Sequence, residues 1–332
     1  SVFITPPKNP VIHDSSAIKT LFLGKSGVLA RFFPAVILNW EKTFSTFGQI
    51  KVKIDGEEQL QKRPLGELIT ALHKLGGHVS EHFLPTIVSS SSLVGECEIS
   101  GKTSGQFLSG LLLAGCAAKS CIKIYRIDNL VQPDYIKMTL KMIEDFSGNI
   151  HADKSLSQFN VFPIEKLTKE HYEIEADAST ACYFICLAYL HNFNLHIVNL
   201  GKNTLQPDYN LVYLLQDLGA CIEIKDTETY VLKNNIYQDP YTQVASYEST
   251  IFFPRGVLSS GKDCKKIDCS LYSDQALTVA ILALFSSVPI EVFGVGHIRY
   301  HESNRISGLI NNLTNLGIES YEKPDGFIVH PI

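Results

Sequence analysis

The chain has 332 residues and a formal net charge of −5, with 45% apolar and 19% charged residues. That length predicts about two domains, and the apolar content is enough to bury a core in each. An acidic balance with no block of lysine and arginine excludes bulk nucleic-acid binding. The longest clean apolar run, residues 276–285 broken only by Thr278, is well short of the roughly 18 residues a membrane span needs. No cationic and apolar leader opens the chain at Ser1, so a cytoplasmic protein is expected, with neither membrane nor nucleic acid as partner.

In chain order, four stretches read as a small-residue turn running into an apolar helix: GKSGVLARFF from Gly24, KTSGQFLSGLLLAG from Lys102, DASTACYFICLAYL from Asp177 and YSDQALTVAILALF from Tyr272. A helix start leaves backbone N–H groups unpaired and carries partial positive charge, so each is a potential anion seat. With Gly27, Ser104, Ser179 and Asp274 as markers, the intervals are 77, 75 and 95 residues. A second element, a helix ending in a large apolar residue and then a small one, is marked by Leu75, Phe146, Leu218 and Leu316 at intervals of 71, 72 and 98. Two signals share one period, which is too long for a solenoid repeat and fits a supersecondary unit of two helices and several strands. Strand-like runs such as IKVKI, CIKIYRI, LHIVNL and PIEVFGV lie between the helices, so the fold class is α/β throughout. The longer last interval, residues 234–265, reads as an inserted connection and a domain boundary.

Eight cysteines stand at 97, 116, 121, 182, 186, 221, 264 and 269 without any CxxC pair. Cys116, Cys121, Cys182, Cys186 and Cys221 sit in apolar sequence, where a reduced thiol acts as a small hydrophobe. Neither a metal nor a cofactor is expected. The GKS at Gly24–Ser26 is not a phosphate-binding P-loop, because the earlier glycine that motif needs is replaced by Lys19.

Taken together, these segments resemble the enolpyruvyl transferases, and within them the EPSP synthase family, in the family's order. LFLGKSGVLARF is similar to the family's LGNxGTxxRF loop, and DGEEQLQKRPLGELITALHKLG to its RP-containing segment. ISGKTSGQFLSGLLLAG is similar to its SSSQF segment, and IRYHESNRISGLINNLTNLG to its R-x-KE-x-DR segment. DASTACYF, GKNTLQPDYNLVYLLQDLGA and SDQALTVAILALF fall between the last two. The resemblance implies an inside-out α/β barrel of βαβαββ units, six in the complete family fold and three per domain. About four and a half units are expected here, with a first domain over 1–235 and part of a second over 236–332. It also implies that the helix starts at Gly27, Ser104 and Thr180 belong to one lobe and face Asp274 and Glu302 on the other.

The resemblance implies transfer of the enolpyruvyl group from phosphoenolpyruvate to shikimate-3-phosphate, a step of the shikimate pathway toward chorismate and the aromatic amino acids. Gly27, Arg63, Gln106 and Arg305 match the phosphoenolpyruvate side, where bidentate guanidinium contacts suit phosphate and carboxylate. Ser104, Gly105, Gln106, Thr180, Tyr183, Asp274, His297 and His301 match the shikimate-3-phosphate side. Asp274 and Glu302 match the proton-transfer groups. Read without the resemblance, Asp274 is a helix N-cap, Tyr183 a core residue on an apolar helix and Glu302 a solvated helix charge.

The chain departs from the family pattern at several positions. His301 stands where the family has lysine, Lys25 where it has asparagine and Val28 where it has threonine. The family's early Lys-Ser-x-x-x-Arg motif, its late DHR motif and its final lysine find no counterpart, which implies little or no turnover by the chain as written. A non-catalytic relative that binds a phosphorylated ligand or a partner chain is the alternative. RNA 3′-phosphate cyclase shares the repeated unit but not the charge balance. The sister enzyme acting on UDP-N-acetylglucosamine matches the SGQF and HESNR segments less well. Oligomeric state is left open.

Overall fold

The computed structural model describes residues 18–39, 51–102, 104–233, 264–301 and 303–332. Its contacts divide the chain into two compact units, Ser1–Tyr172 and Glu173–Ile332.

Unit 1 holds two copies of one βαβαββ repeat. In the first, β1 (Lys19–Phe22), α1 (Gly27–Leu38), β2 (Lys51–Asp55), α2 (Gly66–Lys74), β3 (His78–Val79) and β4 (Thr86–Ser89) follow in order, and the sheet runs β1-β2-β4-β3. β1 and β2 are parallel, with Lys19 opposite Val52, as the intervening helix permits. The other two pairings are antiparallel. The second repeat, β5 (Gly95–Ile99), α3 (Gly105–Gly115), β6 (Ile122–Arg126), α4 (Pro133–Asp145), β7 (Asn149–Ala152) and β8 (Gln158–Phe162), has the same order, β5-β6-β8-β7. Alternation in the strands follows burial: Val52 and Ile54 of β2 face the core while Lys51 is exposed.

Unit 2 holds the third and fourth repeats. The third comprises α5 (Ala178–His191), β9 (Leu195–Val198), α6 (Asn210–Asp217), β10 (Ile222–Ile224) and β11 (Glu228–Val231), with sheet order β10-β11-β9. The fourth comprises β12 (Lys265–Asp268), α7 (Ala276–Ala283), β13 (Ile290–Phe293), α8 (Arg305–Asn315), β14 (Ser320–Lys323) and β15 (Gly326–Val329), with order β12-β13-β15-β14. The third repeat lacks a ladder for its leading strand but keeps that ladder's last rung. Ala176 N–H donates to the Asn199 carbonyl at 2.8 Å, as Leu23 does to Asp55 at 2.8 Å and Cys269 to Phe293 at 3.1 Å.

The second sequence signal is a helix stop. After Leu75, Leu218 and Leu316 come Gly76, Gly219 and Gly317 with φ of +87°, +89° and +78°, and after Phe146 comes Ser147 with φ of +66°. In each repeat the next amide reaches back to close a Schellman cap: Gly77 to Leu72, Gly148 to Ile143, Ala220 to Leu215 and Ile318 to Leu313, at 2.7–2.9 Å. One local motif therefore punctuates all four repeats.

In unit 1, α1 packs directly on α3. A Cβ at Gly110 would lie 2.8 Å from the Arg31 carbonyl oxygen, so only glycine allows that approach. Buried Asn39 ties the two helices, donating to the Ala114 carbonyl at 2.8 Å and accepting from Leu93 N–H at 3.3 Å. Ile37, Leu38, Leu72, Phe107, Leu111 and Phe159 fill the core between, each worth about 1.5–3 kcal/mol of burial. In unit 2 a single core mixes Ile185, Leu211 and Leu215 of the third repeat with Val279, Ile306 and Phe327 of the fourth. The third repeat thus shares a core with the fourth, and the expected domain boundary at 235/236 lies outside the described residues.

Burial pushes the thiols of Cys97, Cys186 and Cys269 up to about 12 and that of Cys116 to about 11. Cys182 is also buried, Cys121 only half-buried. The expectation fails at Cys221, which is exposed. It leads into edge strand β10, where its backbone is used and its thiol is not: its carbonyl accepts from Leu232 N–H at 2.8 Å.

Candidate active site

In unit 1 the turn after β1 brings the chain to α1, capped by the Ser26 hydroxyl accepting from Leu29 N–H at 3.4 Å. Gly27 is the first helical residue. A Cβ there would run into Arg63 Nη1 and come within 3.5 Å of Arg31 Nη1. Two guanidinium groups therefore crowd one backbone position at a helix start. Like charges in that arrangement favour an anion between them.

The equivalent turn of the second repeat supplies a third group. Ser104 caps α3 by accepting from Gln106 N–H at 3.3 Å. Gln106 Oε1 accepts from Arg31 Nη1 at 2.5 Å, and the Arg31 guanidinium lies 5.7 Å over the Phe107 ring. Gly27, Arg63, Ser104, Gly105 and Gln106, named from sequence, thus come together in one unit. Arg31 was missed. The signal was available: it stands four residues after Gly27, one helical turn along the same face.

In unit 2 the centre is Asp274, in the 3-10 turn Ser273–Gln275 ahead of α7. Its Oδ1 accepts from Arg305 Nη1 at 2.7 Å and lies 3.7 Å from His301 Nδ1. Arg305 is the first residue of α8, which Asn304 caps by accepting from Ser307 N–H at 3.1 Å. His297 stands beside His301 with ring centroids 5.6 Å apart, and its Nε2 is 2.9 Å from the buried Ser273 hydroxyl. Burial lowers the His297 pKa below 6.5, and Arg305 adds to that; Asp274 and Asp325 pull the other way.

These two arrangements frame the comparison with known proteins. The sequence matches the family EPSP synthase (3-phosphoshikimate 1-carboxyvinyltransferase) over residues 1–332. The chain belongs to the EPSP synthase family. It is 31% identical over 322 residues to 3-phosphoshikimate 1-carboxyvinyltransferase 2 of Halalkalibacterium halodurans, covering 94% of this chain and 64% of that protein. With the chloroplastic 3-phosphoshikimate 1-carboxyvinyltransferase of Petunia hybrida it shares 29% identity over 332 residues, covering 97% and 59%. The EPSP synthase structure from Acinetobacter baumannii matches with a TM-score of 0.66 at 18% identity, over 94% of this chain and 65% of that one, and so bears on the fold. The chain spans under two thirds of the length of these relatives.

Several residues stand differently from the reading made of them without the family. Asp274 is not the N-cap of α7: Gln275 holds that position, and the Asp274 carboxylate turns to Arg305 instead. Tyr183 is not core; it is 56% exposed, one turn after Thr180. Thr180 donates its hydroxyl to the capping carboxylate of Asp177 at 2.5 Å, so an anion at this helix start meets a negative cap as well as N–H groups. Ser179 donates to buried Asp208 at 2.8 Å, and Gln275 Nε2 reaches the Ser179 carbonyl at 3.4 Å, joining the α5 start to the Asp274 turn. Thr180 therefore shares a unit with Asp274 rather than with Gly27 and Ser104. Glu302 lies outside the described residues.

Among the described residues no cluster of three or more His, Cys, Asp or Glu side chains is placed to hold a metal ion. None of the described helices is long and apolar enough to cross a membrane.

Proposed function

We propose that this chain transfers the enolpyruvyl group of phosphoenolpyruvate to a hydroxyl of shikimate-3-phosphate, releasing phosphate. The observation that carries this reading is the crowding of Arg63 and Arg31 on Gly27 at the start of α1, with Gln106 held alongside. Such a site suits a small ligand bearing both phosphate and carboxylate. Within unit 1, Gly27, Arg63 and Gln106 are assigned to phosphoenolpyruvate and Ser104, Gly105 and Gln106 to shikimate-3-phosphate; within unit 2, Arg305 is assigned to the former and Thr180, Tyr183, Asp274, His297 and His301 to the latter.

Chemically, the acceptor hydroxyl oxygen bonds to the phosphate-bearing alkene carbon while the methylene carbon gains a proton. The resulting methyl group then gives up a proton as the carbon–oxygen bond to phosphate breaks. Asp274 handles the hydroxyl proton, with Arg305 fixing its carboxylate, and Glu302 is the second proton-transfer group. The electrostatic work is done by the guanidinium groups and helix starts.

The test is shikimate-3-phosphate-dependent phosphate release from phosphoenolpyruvate by the protein, with Arg63→Ala beside it. Turnover that Arg63→Ala reduces by about 100-fold or more supports the reading. Binding of either substrate without turnover favours the non-catalytic alternative, and absence of binding overturns both.

A further inference from the structure

We propose that Arg31 is a positioning residue of the phosphoenolpyruvate half-site, fixing Gln106 so that its amide nitrogen, not its oxygen, meets the anion. The inference rests on the reading above and deepens it. A guanidinium can only donate hydrogen bonds. The atom of Gln106 that faces Arg31 Nη1 at 2.5 Å is therefore the carbonyl oxygen. The two N–H donors occupy the other arm of the fork.

Without that contact the Gln106 side chain could rotate and offer its oxygen to an anion, which would repel it. Three constraints hold Arg31 in place for this task. Its backbone carbonyl packs against Gly110 of α3, where a Cβ would lie 2.8 Å away. Its guanidinium stacks over Phe107, the residue after Gln106, at 5.7 Å. Its Nη1 lies beside Gly27, whose missing Cβ would be 3.5 Å away and would also collide with Arg63. The same guanidinium thus spans from the α1 start to the α3 start and sets the donor polarity of both.

The test uses five variants of the protein: Arg31→Gln, Arg31→Lys, Gln106→Ala, Gln106→Glu and the double variant Arg31→Gln/Gln106→Ala. Phosphoenolpyruvate binding is read by calorimetry with and without shikimate-3-phosphate, and turnover is read as kcat and KM. Arg31→Gln should weaken phosphoenolpyruvate about tenfold or more, chiefly in KM, the loss expected for one hydrogen bond to a charged group. Arg31→Lys, which keeps a donor, should recover part of that loss. In the Gln106→Ala background, Arg31→Gln should add much less than it does alone, because the two act as one unit. A further measurement is a crystal structure of Arg31→Gln, in which Gln106 should leave its present rotamer.

Full additivity of the two substitutions, or an unmoved Gln106 in the Arg31→Gln structure, overturns the inference while leaving the enolpyruvyl-transfer reading intact. Failure of the unaltered protein to bind phosphoenolpyruvate overturns the reading and the inference with it. Gln106→Glu separates packing from donor polarity: it keeps an acceptor for Arg31 and the fold, yet should abolish phosphoenolpyruvate binding. Retained binding in Gln106→Glu also overturns the inference.

Discussion

Arg305 Nη1 donates to Asp274 Oδ1 at 2.7 Å across 31 residues of sequence, with the side chains 24% and 33% exposed. The pair joins the turn ahead of α7 to the first residue of α8, so the carboxylate proposed to move a proton is held by the cation proposed to hold phosphoenolpyruvate. Its partial exposure means that solvent screens much of the attraction. As a stability element it contributes on the order of 1 kcal/mol or less.

Asp274→Asn should accordingly leave the melting temperature nearly unchanged while lowering kcat by about 10²–10⁴-fold, the range for loss of a general acid or base. Calorimetric unfolding beside phosphate-release kinetics checks both halves. A large loss of stability with kcat preserved would assign Asp274 a purely structural role.

Gly27→Ala should weaken phosphoenolpyruvate with little effect on shikimate-3-phosphate. The added Cβ meets Arg63 Nη1, the far end of a flexible side chain, so the guanidinium moves and the fold survives. A displaced clamp should cost about tenfold in phosphoenolpyruvate affinity. Isothermal titration with each substrate is the measurement, and equal loss of both would show that the glycine shapes more than the Arg63 contact.

His297 sets a pH dependence of stability. Burial holds its pKa in the folded protein below the 6.5 of the free side chain. The unfolded chain therefore takes up this proton first as pH falls. Stability from keeping the ring neutral is fully present above about pH 6.5 and is lost as pH drops below it toward the folded value. Urea midpoints of the protein should fall between pH 7.5 and 5.5, and His297→Gln should make that fall shallower. Identical slopes for the two proteins would place the acid sensitivity elsewhere.

Two glycines of α8 and its cap should respond to alanine with opposite signs. Gly317 has φ of +78° and open space around its Cβ position, so Gly317→Ala costs only backbone strain, about 1 kcal/mol. Gly308 lies inside α8 with equally open surroundings, and Gly308→Ala should stabilise by about 0.5–1 kcal/mol. Denaturant midpoints of the two variants should lie on either side of the unaltered protein.

The repeat was legible in the chain because its marks are local. The turn–helix starts at Gly27, Ser104 and Ser179 depend on capping side chains two or three residues away, and the stops at Leu75-Gly76, Leu218-Gly219 and Leu316-Gly317 depend on one positive φ each. Ser147 shows the limit of that code: it takes the same left-handed cap without being glycine, because the Schellman bonds around it impose the conformation. The candidate residues were legible too, through residue types in a fixed order, although the order alone did not say what each side chain touches.

Tertiary structure decided those contacts. Arg31 reaches Gln106 only because two equivalent helices from successive repeats, 75 residues apart, pack side by side. Asp274 gives up the N-cap role its sequence position suggests, because the turn Ser273–Gln275 puts Gln275 at the cap and leaves the carboxylate to Arg305, which arrives from 31 residues further on. Apolar neighbours alone put Tyr183 and Cys221 in the core, yet both face solvent. Sequence by itself determined which segments would be strands, helices, caps and turns, since those follow from interactions within a few residues. Which side chains meet one another and which share a core was settled only when chain segments far apart in sequence closed on one another.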